Sequence, residues 1–138
     1  MTGEHDLARF DRRFFEGRET FTVIGSGALG GKAAGLRSAR ETLADRPATL
    51  RFRDLEISVP TLTVIGTDVF DAFLDRNRLR PLLAEEPSDD VLSLAFQKAT
   101  LPTEWLGDLR SLADDARLPL ACRSSSALED ALGRPFAG

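Results

Sequence analysis

Along the chain, short β-rich apolar runs alternate with longer stretches whose apolar residues recur at helical spacing. F-T-V-I-G at 21–25 ends in glycine and predicts a short strand. From 32 to about 44, Leu36, Ala39 and Leu43 stand at i, i+3 and i+7. That spacing predicts a helix with one apolar stripe. Residues 45–54 read as a basic, turn-rich connection, and 55–59 and 61–65 as two strand pieces around Pro60. A proline cannot donate to a ladder and so marks an edge or a bend. Thr67 is placed to cap a helix running to about 77, with Asp68 in its first turn and Val69, Phe70, Phe73 and Leu74 on its buried face. Ser88 is placed to cap another, with Asp89 and Asp90 at its positive end and Val91, Leu92, Ala95 and Phe96 inward. Thr103 is placed to cap a fourth, which carries Trp105, Leu109, Leu112, Ala113 and Ala116. P-L-A-C-R at 119–123 reads as a short apolar strand ending in a charge. Strands alternating with helices predict an α/β layered domain.

Composition narrows the function classes. The 138 residues suit one domain, and 42% hydrophobic with 29% charged residues is a globular balance. The first 20 residues are polar and predict an irregular segment or a short helix, which leaves 21–138 as the folded unit. A net charge of -4 argues against a nucleic-acid partner, and Arg12, Arg13, Arg51 and Arg53 read as solvated loop charge. The single cysteine, Cys122, cannot form an internal disulfide, and with the single histidine, His5, cannot build a four-ligand zinc site. His5 stands in a polar stretch, poorly suited to a Ser-His-Asp arrangement. No apolar run approaches the roughly 20 residues of a membrane span. The charged start lacks a secretory core, so a cytoplasmic chain with no membrane partner is expected.

The run G-S-G-A-L-G-G-K at 25–32 is the first candidate site. Gly25, Gly27 and Gly30 fit the dinucleotide pattern G-x-G-x-x-G, with Asp45 about 20 residues beyond Gly25. Asp45, however, falls in the turn after the helix, and no second mononucleotide half follows. The Walker A pattern fails twice, because Ser26 takes the first glycine position and Ala33 replaces the magnesium-binding Ser or Thr. A third pattern is a glycine turn at a helix N-terminus that presents Lys32 to a phosphate. Glycines suit that task because a Cβ holds the backbone away from phosphate oxygens. A purely structural turn with a solvated Lys32 fits the run equally.

The second candidate is L-A-C-R-S-S-S-A-L-E-D-A-L-G-R-P-F-A-G at 120–138. A strand would deliver Arg123 to its end, where open α/β sheets bind ligands, and the guanidinium fork suits phosphate. A charge straight after an apolar run is costly to bury without a partner. Ser124, Ser125 and Ser126 add donors. Ser126 and Glu129 also match the S-x-x-E capping box, so Glu129 reads equally as a helix cap or as a ligand organiser.

Taken together, the segments resemble the N-terminal nucleotide-binding domain of the phosphoenolpyruvate synthase and pyruvate phosphate dikinase family. G-G-K-A-A-G-L resembles the family's G-G-K-x-x-x-L element. I-S-V-P-T-L-T-V-I-G-T-D-V-F-D-A-F resembles its V-P-x-x-x-x-x-T-x-x-x-x-x-F stretch. R-S-S-S-A-L-E-D-A-L-G-R-P-F-A-G resembles its R-S-S-x-x-x-E-D element and F-A-G loop. The resemblance implies the first part of an ATP-grasp-type domain, a mixed sheet flanked by helices. It implies an ATP phosphate site at Gly30, Gly31, Lys32, Arg123, Ser124 and Ser125. Gly133, Phe136, Ala137 and Gly138 would belong to a loop over the phosphates, and Glu129 and Asp130 would organise it. Family members use ATP and Mg2+ to phosphorylate a histidine on a separate domain, which passes the phosphoryl group to pyruvate. The acidic metal ligands, the phosphohistidine domain and the pyruvate-binding domain have no counterpart in these residues. The chain is therefore expected to be an inactive part of a longer phosphotransferase. The alternative is a non-catalytic nucleotide-binding or interaction module, for which exposed sheet edges favour a homodimer.

Overall fold

A computed structural model of the chain describes residues 7–13, 20–45, 51–52 and 55–125. Its centre is a parallel sheet of three strands in the order β1-β2-β5, formed by β1 (Ala8–Arg9), β2 (Phe21–Ile24) and β5 (Leu62–Ile65). A separate antiparallel pair joins β3 (Arg51–Phe52) to β4 (Leu55–Glu56). The α/β class is as expected, but parallel and antiparallel pairings are segregated rather than mixed in one sheet. The described residues include five helices: α1 (Gly31–Asp45) falls between β2 and β3, and α2 (Thr67–Arg76), α3 (Leu79–Ala84), α4 (Asp89–Lys98) and α5 (Thr103–Asp115) follow β5.

β2 is the central strand, and all four of its residues are buried. A parallel strand covered on both faces reads as a continuous apolar run rather than an alternating one. Phe21 and Val23 pack with Leu29, Ala33 and Val64 in one cluster. Ile24 packs with Phe10 and Val69 in another, against Trp105, Leu109 and Leu112 of α5. The buried Thr22 is satisfied by a 3.0 Å hydroxyl hydrogen bond to Thr63 on β5. β1 lies inside a stretch that the sequence pattern leaves irregular. Its two residues are too few for a periodic signal, but Phe10 completes the edge by donating its N–H to the Val23 carbonyl at 2.8 Å.

Helix faces differ from the apolar stripes in instructive ways. In α1 the core residue is Ala33, whereas Leu36 is 37% exposed and Ala39 is exposed. Ala33, in the first turn of α1, packs with Leu29, Phe21, Val23 and Val64. Further along, Arg40 lies over the Phe21 ring, its guanidinium carbon 6.0 Å from the ring centre, and reaches the Phe21 carbonyl at 3.5 Å. Phe70 of α2 and Val91 of α4 are exposed, although periodicity points both inward. Residues 119–123 form no strand among the described residues, and Leu118 and Leu120 are exposed. Apolar β-propensity gives a strand only where a ladder partner is present.

The capping residues also shift. α2 begins after Gly66 and α5 after Pro102, and none of the caps of α2, α4 and α5 uses a side-chain hydrogen bond. Instead Asn77 ends α2 and ties it to the chain ahead of α5. Its amide donates to the carbonyls of Phe73 at 2.8 Å and Thr100 at 2.9 Å, and accepts the Thr100 N–H at 2.9 Å.

These packing differences predict unequal costs for two apolar deletions. Phe21→Ala removes a fully buried ring and should cost about 3–5 kcal/mol, while Leu36→Ala should cost less than about 2 kcal/mol. Urea unfolding of both variants checks this. Equal losses would place the Leu36 stripe against the core.

Candidate functional site

Two neighbouring parallel strands end at the same edge of the sheet. β2 runs into the glycine turn and then α1, and β5 runs into Gly66 and then α2. Both helix N-termini therefore open at the carboxyl ends of the strands, where open α/β sheets bind ligands. The turn from 25 to 30 is held by contacts from the second crossing. The Gly66 N–H donates to the Ile24 carbonyl at 2.9 Å and the Thr67 N–H to the Ala28 carbonyl at 3.2 Å. In return the Ala28 N–H donates to the Thr67 hydroxyl at 3.0 Å.

Asp68 completes the clasp. One carboxylate oxygen accepts the Ser26 N–H at 2.8 Å and the Ser26 hydroxyl at 3.1 Å. The other accepts the Gly27 N–H at 2.7 Å. Burial alone pushes this carboxyl upward. The N–H groups of Ser26 and Gly27, the Ser26 hydroxyl and the Val69 N–H more than offset it and hold the group below its ordinary value of 3.8. The glycines follow from this packing. Gly25 has φ +91, and a Cβ there would stand 2.6 Å from both the Asp68 carboxylate and Val69. A Cβ on Gly27 would collide with the Asp68 backbone nitrogen.

The dinucleotide pattern is corrected by the same contacts. The N–H groups of Ser26, Gly27 and Ala28, which that pattern would offer to a pyrophosphate, are occupied by the Asp68 carboxylate and the Thr67 hydroxyl. Sequence spacing assigned Thr67 and Asp68 to helix capping and missed their partners about 40 residues upstream. The available signal was a second strand that also ended in glycine, followed directly by two side-chain acceptors.

The other half of the turn has a different partner. Ser125 donates its hydroxyl to the Leu29 carbonyl at 3.2 Å and accepts the Ala33 N–H at 3.0 Å. It thus caps the first turn of α1 from 92 residues away. Gly30 has φ +75, and a Cβ there would collide with the Ser125 carbonyl. The glycine is therefore required for the approach of the 123–125 segment. Gly30, Gly31 and Lys32 are partly buried at this junction, and the Lys32 ammonium nitrogen is shielded from solvent. Arg123 and Ser124 are exposed, two residues and one residue before the Ser125 anchor. Arg123 is not the buried charge its apolar preface suggested, because the residues before it stay on the surface.

The structure thus brings the 30–32 element to the 123–125 element through one serine. The junction offers the N-terminus of a 15-residue helix, a lysine and an arginine nearby in sequence, which is a donor set suited to phosphate. Glu129, Asp130, Gly133, Phe136, Ala137 and Gly138 lie outside the described residues. Among the described residues no three His, Cys, Asp or Glu side chains gather as a metal site, and no helix is long and apolar enough to cross a membrane.

The Asp68 clasp predicts a pH-dependent loss of stability. Because the folded carboxyl titrates below its unfolded value, its stabilisation is complete above the unfolded value and lost as pH falls through the folded one. Asp68→Asn keeps only one acceptor oxygen for two N–H groups. The variant should lose about 1.5–3 kcal/mol at neutral pH. The difference from the unchanged protein should shrink below about pH 4. Urea unfolding at both pH values checks the sign, and a difference independent of pH contradicts it.

With this geometry in place, comparison with known proteins matches the chain to a family. The family model described as Pyruvate phosphate dikinase, AMP/ATP-binding domain covers residues 26–138. No curated protein and no solved structure matches.

Proposed function

As the chain belongs to the pyruvate phosphate dikinase AMP/ATP-binding domain family, we propose that the junction of α1 with the 123–125 segment seats the phosphates of ATP in a phosphotransferase. The observation that carries this reading is the Ser125 hydroxyl, which links Leu29 and Ala33 at the helix N-terminus to the chain that bears Arg123. Lys32 supplies a point charge beside the helix end, and Arg123 supplies a planar donor fork from the facing segment. The N-terminal turn of α1 adds its partial positive charge. Ser125 holds the two elements together through contacts its hydroxyl already makes within the chain, and Ser124 stands between that anchor and Arg123.

In this reading the chain binds and orients nucleotide. A P–O bond of ATP then breaks as the phosphoryl group passes to a histidine nitrogen on a phosphohistidine domain, with the rest of the nucleotide leaving. The N–P bond in turn breaks as the enolate oxygen of pyruvate, formed by loss of a methyl proton, takes the phosphoryl group to give phosphoenolpyruvate and free histidine. The chain's contribution is positioning and charge neutralisation, the main components of catalysis in phosphoryl transfer. Magnesium, where bound, would neutralise phosphate charge. The described residues offer no cluster to hold it, so no step here is assigned to the metal. Gly133, Phe136, Ala137 and Gly138 are proposed to contribute to a loop over the phosphates, with Glu129 and Asp130 organising it.

Titration calorimetry of the chain with ATP tests the reading. Lys32→Ala and Arg123→Ala should each weaken ATP binding at least tenfold, corresponding to the loss of about 1.5 kcal/mol or more from a charge-assisted contact. Circular dichroism should show both variants folded. Unchanged affinity in the two folded variants would remove the phosphate seat from this junction.

A further inference from the structure

The glycine turn has two halves with different occupants. At 26–28 the backbone N–H groups are filled from within the chain by Asp68 and Thr67. At 29–33 the turn meets Ser125 and opens α1. We propose that Asp68, supported by Thr67, is a positioning residue for nucleotide binding, acting through the turn to set the α1 N-terminus against the 123–125 segment. The inference rests on the nucleotide reading of that junction, and it adds residues that the glycine and arginine motifs do not include.

Three observations carry it. First, the clasp is two-pronged: separate carboxylate oxygens take the N–H groups of Ser26 and Gly27, which fixes the plane of the peptide between them. An amide side chain offers only one acceptor and cannot reproduce this. Second, the space around the carboxylate is filled by backbone. A Cβ at Gly25, Gly27 or Gly66 would each come within 3 Å of an Asp68 atom. The turn therefore has little freedom to shift while Asp68 is in place. Third, only Leu29 separates the clasped Ala28 from Gly30, whose positive φ admits the Ser125 backbone. A displacement at 26–28 is carried directly to the helix end that Ser125 caps.

The clasp also gives the turn a directional preference. A carboxylate already sits where a phosphate would otherwise find the N–H groups of Ser26 and Gly27. Its negative charge disfavours a second anion there. Nucleotide phosphates are thereby confined to the 30–32 end, beside Lys32. This separates the site from a dinucleotide turn that has the same glycine spacing.

The test uses the whole 138-residue chain and two variants, Asp68→Asn and the milder Thr67→Val. Amide hydrogen exchange is read by NMR without nucleotide at Ala33 and Ala34, whose N–H groups are bonded to the Ser125 hydroxyl and the Gly30 carbonyl. ATP affinity is read separately by calorimetry. Exchange at Ala33 and Ala34 should accelerate about tenfold or more in Asp68→Asn and by a smaller factor in Thr67→Val, while amides of α5 hold their rates. ATP affinity should fall in the same order. Unchanged exchange at Ala33 and Ala34 in folded variants overturns the positioning role, whatever ATP does. If Asp68→Asn does not fold, Thr67→Val decides the matter alone, and an unaltered rate at Ala33 overturns the inference. Absence of ATP binding by the unchanged chain counts against the nucleotide reading only, because the exchange arm still reports whether the clasp controls the helix end.

Discussion

The Asp68 carboxylate, bridging the N–H groups of Ser26 and Gly27, is the contact that holds the glycine turn at the carboxyl ends of the two strands. Two parallel strands end side by side there, and each must hand its chain to a helix through a glycine. Without a cross-link, a turn so rich in glycine would carry a large entropic cost of ordering. The carboxylate offsets that cost with charge-assisted hydrogen bonds, which are stronger than neutral ones. The sheet beneath supplies rigidity, since β2 is buried along its whole length between α1 on one side and α5 on the other.

From that fixed turn the remaining geometry follows in steps. Gly30 takes a positive φ and leaves room for the Ser125 backbone. Ser125 then serves as a cap for α1 that is remote in sequence. The capped helix end, Lys32 and the segment bearing Arg123 come together as a consequence. Local capping is correspondingly weak elsewhere. Thr67, which could have capped α2, uses its hydroxyl to hold Ala28 instead. A residue that appears to serve its own helix serves the neighbouring crossover.

Much of this was legible in the sequence. The strand at about 21–24, the helices beginning within a residue of 31, 67, 89 and 103, and the family resemblance followed from periodicity, glycine placement and motif order. The rest depended on long-range partners. Asp68 and Ser26 are 42 residues apart, and Ser125 and Ala33 are 92 apart, so no local window contains either contact. Leu36 and Phe70 fit an apolar stripe but lie exposed: α1 packs on the sheet through the small Ala33 near its start, and α2 packs through Val69 against Ile24 while also burying Leu74. The run at 119–123 has strand propensity but finds no ladder among the described residues. Arg123 was identified for its chemistry, and its exposure came from that missing ladder.

The most direct measurement is a map of amide chemical-shift changes across the chain on addition of ATP. The account predicts the largest changes at Gly30, Gly31, Lys32, Ser124 and Ser125, with small ones at Ser26, Gly27 and Ala28, where the chain's own acceptors already sit. Large changes centred on Ser26–Ala28, with Lys32 and Ser125 unmoved, would contradict it and return the turn to a dinucleotide-like mode of binding.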